Sequence, residues 1–128
     1  MRQNIIGLLT ILVVDDFADA RLTLKHLLEA RAYRVLEATN GEEAVELVQR
    51  RCPDLILMDL NMPKMDGLEA AKKIRLSNET CQHVPIIAIT AYDTYGMKEA
   101  ALEAGCDDYI VRPLDFEQLD RVLSRYIV

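Results

Sequence analysis

Five short apolar runs rich in β-branched residues alternate with five segments whose apolar residues recur at helical spacing. No other property of the chain restricts its fold as much. The runs are Thr10–Val14, Arg34–Glu37, Leu55–Met58, Pro85–Ile89 and Tyr109–Val111. The first, third and fourth are almost wholly apolar, as expected of strands buried on both faces. Between and after them lie the stripes Ala20-Leu24-Leu27-Leu28, Gly41-Ala44-Val45-Val48, Gly67-Ala70-Ala71-Ile74, Met97-Ala100-Ala101-Ala104 and Leu119-Val122-Leu123-Tyr126.

Helix start signals agree. Asn40 with Glu43, Asp66 with Glu69 and Asp115 with Gln118 have the spacing of a capping residue and its reciprocal acid or amide. Gly105 can end the fourth helix, whose own start is the weakest, with Gly96 in its first turn and no capping box before it. Strands that alternate with helices imply a parallel sheet with helices on both faces. The expectation is one α/β domain, (βα)₅, over residues 1–128 with a core from about 10 to 126. The length and the 51% hydrophobic content of these 128 residues are enough for one packed core.

Composition narrows the function. A net charge of −6 argues against nucleic acid or anionic membrane as a direct partner. Arg2, the apolar run Ile5–Val14 and Ala18-Asp19-Ala20 imitate an export signal, but Asp15 and Asp16 stand where such a signal is neutral. No stretch is long and apolar enough to insert into a membrane, so a cytoplasmic location is expected. Cys52, Cys81 and Cys106 are too scattered for a metal knuckle and read as three reduced thiols.

The stretch "LLTILVVDDFADA" delivers two adjacent carboxylates at the end of a buried run, where each raises the cost of ionising the other. In open parallel sheets ligands bind beyond the carboxyl ends of the strands. There the first strand presents Asp15 and Asp16, the third Asp59, the fourth Thr90 and the fifth Arg112, while the second ends in Glu37-Ala38-Thr39 without such a signal. Three crowded carboxylates call for a hard divalent cation, Mg²⁺ or Mn²⁺, that keeps several waters and leaves room for a phosphate oxygen. A metal, a hydroxyl donor and a cationic side chain suit phosphoryl transfer, and a carboxylate can itself be the nucleophile.

The segments "ILVVDD", "PDLILMDLNMPKMDGLEA", "PIIAIT" and "DYIVRP", in that order, resemble the receiver domain of two-component response regulators, from about Thr10 to Tyr126. The resemblance implies a doubly wound, flavodoxin-like sheet of order 2-1-3-4-5. It implies that Asp59 is the phosphoacceptor. Asp15, Asp16 and Asp59 would hold Mg²⁺ with the backbone carbonyl of Asn61, Asp16 more directly than Asp15. Thr90 would bond the phosphoryl group, and Tyr109 would change position with it. Asn61 and Tyr92 would flank that group and influence its hydrolysis. The implied partner is a sensor histidine kinase or a phosphotransfer protein, and an output partner would bind the face of the fourth helix, fifth strand and fifth helix. The chain would be a signalling module, not an enzyme with a separate substrate.

One position departs. The family places Lys where this chain has Arg112, before Pro113, and a cis peptide is expected there. Arginine keeps the charge but spreads it over a planar fork. It can reach a phosphoryl oxygen, or pair with Asp59 at rest. The alternative function is therefore a phosphorylation-independent, receiver-like adaptor. A Mg²⁺-dependent hydrolase is disfavoured, because Asn61 stands where a second acid/base carboxylate would be needed. Pro63 and Gly67 read as turn and close-packing residues, the methionines Met58, Met62 and Met65 as packing around the third strand, and His26 and His83 as isolated.

Overall fold

The computed structural model describes residues 8–62, 65–77, 81–91 and 96–127. The elements are β1 (Thr10–Val14), α1 (Ala18–Ala30), β2 (Arg34–Ala38), α2 (Gly41–Arg50), β3 (Leu55–Asp59), α3 (Gly67–Ser77), β4 (Ile86–Thr90), α4 (Met97–Ala104), β5 (Asp108–Val111) and α5 (Phe116–Tyr126). The five strands form one parallel sheet in the order β2-β1-β3-β4-β5. This is the doubly wound fold expected from the sequence.

Alternation of side chains along each strand divides the core in two. Leu12, Val14, Ile56, Met58, Ile86 and Ala88 face a layer that includes Ala44, Val48, Ala70, Ile74 and Ala101 from α2, α3 and α4. Ile11, Val13, Leu55, Leu57, Ile87 and Ile89 face Leu24, Leu28, Leu119, Val122 and Leu123 from α1 and α5. Strand side chains such as Ile56, Leu57 and Ile87 are fully buried, each stabilising the fold by about 1.5–3 kcal/mol relative to exposure.

Helix ends follow the spacing signals with one difference. Asn40 Oδ1 accepts from Glu43 N at 2.9 Å, and Asp66 Oδ1 accepts from Glu69 N at 2.9 Å. Asp115 Oδ1 instead accepts from Glu117 N at 2.9 Å, one residue earlier than the spacing suggested; an N-cap can serve either of the second and third helical amides. Gly105, with φ 108°, ends α4 in the left-handed conformation, as expected.

The thiol expectation is corrected. Cys52 and Cys81 form a disulfide, while Cys106 remains a free, buried cysteine. The two partners are 29 positions apart and looked unrelated, but they enter the adjacent strands β3 and β4 from the same end of the sheet, which brings their Cα atoms to 5.6 Å. Burial pushes the Cys106 thiol up to about 11, so it is un-ionised at neutral pH.

Candidate functional site

The strands that run in parallel all deliver their last residues to one end. Val14 pairs with Met58, so Asp15 lies level with Asp59; Asp59 pairs with Ile89, and Thr90 with Val111. Asp59 keeps the parity of Leu55 and Leu57, Asp15 that of Ile11 and Val13, and Arg112 that of Ile110, all on the α1/α5 side of the sheet. Thr90 and Tyr109 have the other parity, that of Ile86, Ala88 and the α3/α4 layer.

Close packing holds the frame. A Cβ on Gly67 would lie 2.4 Å from the carbonyl oxygen of Asp59, so only glycine lets the start of α3 sit against the end of β3. Leu60 N donates to Ile89 O at 2.9 Å, which extends the β3–β4 ladder one residue past Asp59.

A crevice of about 410 Å³ opens here, lined by Asp15, Asp16, Asp59, Asn61, Ala91 and Arg112 among others. Asp15, Asp16 and Asp59 each present a carboxylate oxygen, and these oxygens all lie within 4.8 Å of one another. Asp15 and Asp59 are buried, at 2% and 7% exposure, and Asp16 is exposed. Each buried carboxylate is aimed by the amide two residues on: Phe17 N donates to Asp15 Oδ1 at 2.9 Å, and Asn61 N to Asp59 Oδ1 at 3.0 Å. Thr90 Oγ1 donates to Asn61 Oδ1 at 3.0 Å. Arg21 Nη1 donates to the Asp15 carbonyl at 3.0 Å while its Nε holds Glu37.

Burial pushes the Asp59 carboxyl up to about 6; the Asn61 N–H draws it down, Asp15 and Asp16 raise it further, and Arg112 opposes them. The donor set is hard, anionic oxygen, which suits Mg²⁺ or Mn²⁺. Two ligands on one Mg²⁺ lie about 3–4 Å apart, and a limit of 4.8 Å among the three oxygens brings them close to that range.

Arg112 Nη2 donates to Asp15 Oδ2 at 2.5 Å. The resting pair with Asp59 that the sequence suggested is thus replaced by one with Asp15. Both carboxylates give Oδ1 to a backbone amide, and it is the second oxygen of Asp15, Oδ2, that faces Arg112. The Arg112–Pro113 peptide is cis, as expected.

The sequence profile of the response regulator receiver domain matches residues 11–124. The chain belongs to the response regulator receiver family. It is 40% identical over 114 residues to the transcriptional regulatory protein ZraR of Klebsiella oxytoca, covering 89% of this chain but only 25% of that protein. Among solved structures it resembles the receiver domain of the sensor histidine kinase PA1611 from Pseudomonas aeruginosa PAO1, described with a magnesium ion in its active-site cleft. The TM-score is 0.87 at 36% identity, covering 94% of this chain and 98% of that one. It also resembles the receiver domain of the Saccharomyces cerevisiae response regulator Ssk1, co-crystallised with the histidine phosphotransfer signaling protein Ypd1. There the TM-score is 0.84 at 30% identity, covering 93% and 88%.

The receiver thus brings Asp15, Asp16, Asp59, Asn61, Thr90 and Arg112 to one end of the sheet. Tyr109 is half-buried on the α3/α4 side, apart from the carboxylates. Tyr92 and Pro63 lie outside the described residues. Sequence reasoning missed an apolar groove of about 540 Å³ beside the crevice, between α1 and the β5–α5 connection. Phe17, Leu24, Leu114 and Phe116 line it, and Arg112 borders both hollows. Two phenylalanines at the starts of α1 and α5 were the available signal; Phe17 is 63% and Phe116 55% exposed. Among the described residues no helix is long and apolar enough to cross a membrane.

Proposed function

We propose that this receiver accepts a phosphoryl group on Asp59 and relays its arrival to the face formed by α4, β5 and α5. The observation that carries this reading is the convergence of three carboxylates within 4.8 Å beside a threonine hydroxyl and an arginine. Asp15, Asp16, Asp59 and the backbone carbonyl of Asn61 would hold Mg²⁺. When bound, that ion supplies positive charge to the phosphoryl oxygens.

The chain's own groups do the remaining work. Ionised Asp59, held in one orientation by the Asn61 amide, attacks phosphorus; a P–O bond forms as the donor's P–N bond breaks and the electron pair leaves with the donor imidazole. Thr90 exchanges its bond to Asn61 for one to a phosphoryl oxygen, and Tyr109, on the same face of the sheet, follows it. The two-state shift needs only the differential contacts that about two added negative charges bring.

The donor is a histidine kinase or phosphotransfer protein. The groove of Phe17, Leu24, Leu114 and Phe116, which shares Arg112 with the crevice, supports this, because it offers an apolar helix face a seat beside the carboxylates. A second reading, a phosphorylation-independent adaptor, draws support from the Arg112–Asp15 pair, which holds one of the metal-facing carboxylates.

Treatment with acetyl phosphate, followed by intact mass measurement with and without Mg²⁺, separates them. The phosphoacceptor reading expects a gain of one phosphate on the wild type with Mg²⁺ and none on Asp59→Asn. No gain on the wild type, or an equal gain on both proteins, rejects it.

A further inference from the structure

We propose that Arg21, braced by Glu37, is a positioning residue of the metal site: it fixes the peptide from which the Asp16 carboxylate projects. This rests on the metal-site part of the proposed function and extends it to β2, whose end carries no ligand of its own. Asp15 and Asp59 are aimed by the amides of Phe17 and Asn61, but among the described residues nothing donates to the Asp16 carboxylate. Asp16 is exposed, so packing does not orient it either. Its direction follows from the backbone that carries it.

The edge strand β2 grips that backbone at two points. Asp15 N donates to Ala38 O at 3.1 Å, one step beyond the Val14–Ala38 pair that ends the ladder. Asp15 O accepts from Arg21 Nη1 at 3.0 Å, while Arg21 Nε donates to Glu37 Oε1 at 3.0 Å. The Asp15 carbonyl lies in the peptide plane shared with Asp16, so holding it sets the direction in which the Asp16 side chain leaves the chain. Arg21 stands in the first turn of α1, where its own N–H donates to Phe17 O at 3.0 Å, and its side chain is 15% exposed. Lys25 Nζ, 3.3 Å from Glu37 Oε2, pairs with the other oxygen of the brace and does not reach Asp15. Burial would push the Glu37 carboxyl up, but the bonds from Arg21 and Lys25 outweigh it and hold it below the usual range, so the brace is anionic at neutral pH. Arginine offers two donors at fixed spacing in one plane, one for the carboxylate and one for the carbonyl, whereas lysine has a single nitrogen at its tip. The sign of the effect separates position from charge. A cation near the site repels Mg²⁺, so through charge alone the loss of Arg21 would tighten metal binding. Through position its loss weakens binding.

Calorimetric titration of the unphosphorylated chain with MgCl₂ reads that sign. Arg21→Lys keeps the charge and loses the fork, and Arg21→Gln loses both. Each is expected to bind Mg²⁺ about tenfold more weakly than wild type, the scale of losing a group that orients a metal ligand. Lys25→Gln, which removes a more exposed cation from the same brace, is expected to change affinity less than about threefold. In metal-free Arg21→Lys the Asp16 and Phe17 amide resonances should move, while that of Gly105, at the other end of the sheet, stays. In the wild type the Arg21 Nε–Hε proton should exchange with water far more slowly than that of a free guanidinium, a measurement that stands if the variants do not fold. Unchanged affinity in Arg21→Lys or tighter binding by Arg21→Gln overturns the inference. So does equal weakening by Lys25→Gln, unmoved Asp16 and Phe17 amides, or an Arg21 proton that exchanges at the free rate. No Mg²⁺ binding by the wild type rejects the metal site and the inference together, whereas wild-type binding that both Arg21 variants retain in full rejects the inference alone. Wild-type binding with the expected weakening, but no phosphate gain from acetyl phosphate, supports the inference while rejecting the phosphoacceptor reading.

Discussion

At the amino ends of the strands the Arg75 side chain donates five hydrogen bonds, to Gln82 O, to Val84 O, twice to Gly105 O, and to Asp107 Oδ2; at the carboxyl ends the Arg112 side chain donates one. Both ends collect aspartates and arginines. At the amino end Asp107 is shared between Arg75 and the Ile86 amide, Asp54 accepts from Thr10 N, and Asp108 pairs with Arg125. These carboxylates are matched to donors, and the Cys52–Cys81 bond crosses the same end. At the carboxyl end three carboxylates converge, and among the described residues the one side-chain ion pair that reaches them is Arg112 with Asp15. The same side-chain types stitch the fold at one end and leave uncompensated charge at the other. Surplus negative charge held in place by a stable frame is what suits the carboxyl end to a cation.

Breaking the stitched end should cost the most. Arg75→Ala is expected to lower the unfolding free energy by about 3–5 kcal/mol, because it strips four hydrogen bonds from the partly buried carbonyls of Gln82, Val84 and Gly105 and removes the counter-charge of Asp107, which keeps only the Ile86 amide. Urea denaturation measures this, and Mg²⁺ affinity should change less than twofold. If affinity falls in parallel, the two ends are not independent.

Reduction of the disulfide is expected to be next. Closing a loop of 29 residues corresponds to about 3–4 kcal/mol on the chain-entropy account, read as a lower unfolding free energy in dithiothreitol than in its absence. An unchanged midpoint would show that the bond does not form in solution.

The smallest effect has the opposite sign. The Asp59 carboxyl is raised from 3.8 to about 6 in the folded chain, so the folded state holds its proton more tightly than the unfolded state does. Its ionisation therefore opposes folding; the penalty is full above about pH 6 and absent below about pH 4. Metal-free Asp59→Asn should be more stable than wild type by about 1–2 kcal/mol at pH 7, with the difference vanishing toward pH 4. A destabilised Asn variant at pH 7 would mean that the carboxyl end carries no such surplus.

Much of this contrast was legible in the chain. Apolar, β-branched runs and helical spacing located all ten elements, because a parallel sheet covered on both faces needs apolar strands such as Leu55–Met58 and amphipathic helices such as Leu119–Tyr126. The carboxyl-end rule brought Asp15, Asp16, Asp59, Thr90 and Arg112 to one end, since strand polarity alone decides which end a residue reaches. What depended on loop conformation was not legible. The choice of Asp15 over Asp59 as partner of Arg112 follows from which carboxylate oxygen faces the guanidinium after the turn at Pro113. The Cys52–Cys81 bond depends on two loops meeting, and no spacing rule records that. The groove of Phe17 and Phe116 likewise exists only once α1 and α5 lie side by side.

The central claim is that Asp15, Asp16 and Asp59 converge to hold one divalent cation. A crystal soaked in Mn²⁺ and measured for anomalous scattering tests it most directly. The account predicts one strong peak among the carboxylate oxygens of Asp15, Asp16 and Asp59. A map with no peak among these carboxylates at saturating Mn²⁺, or with its peak at another acidic cluster, would contradict it.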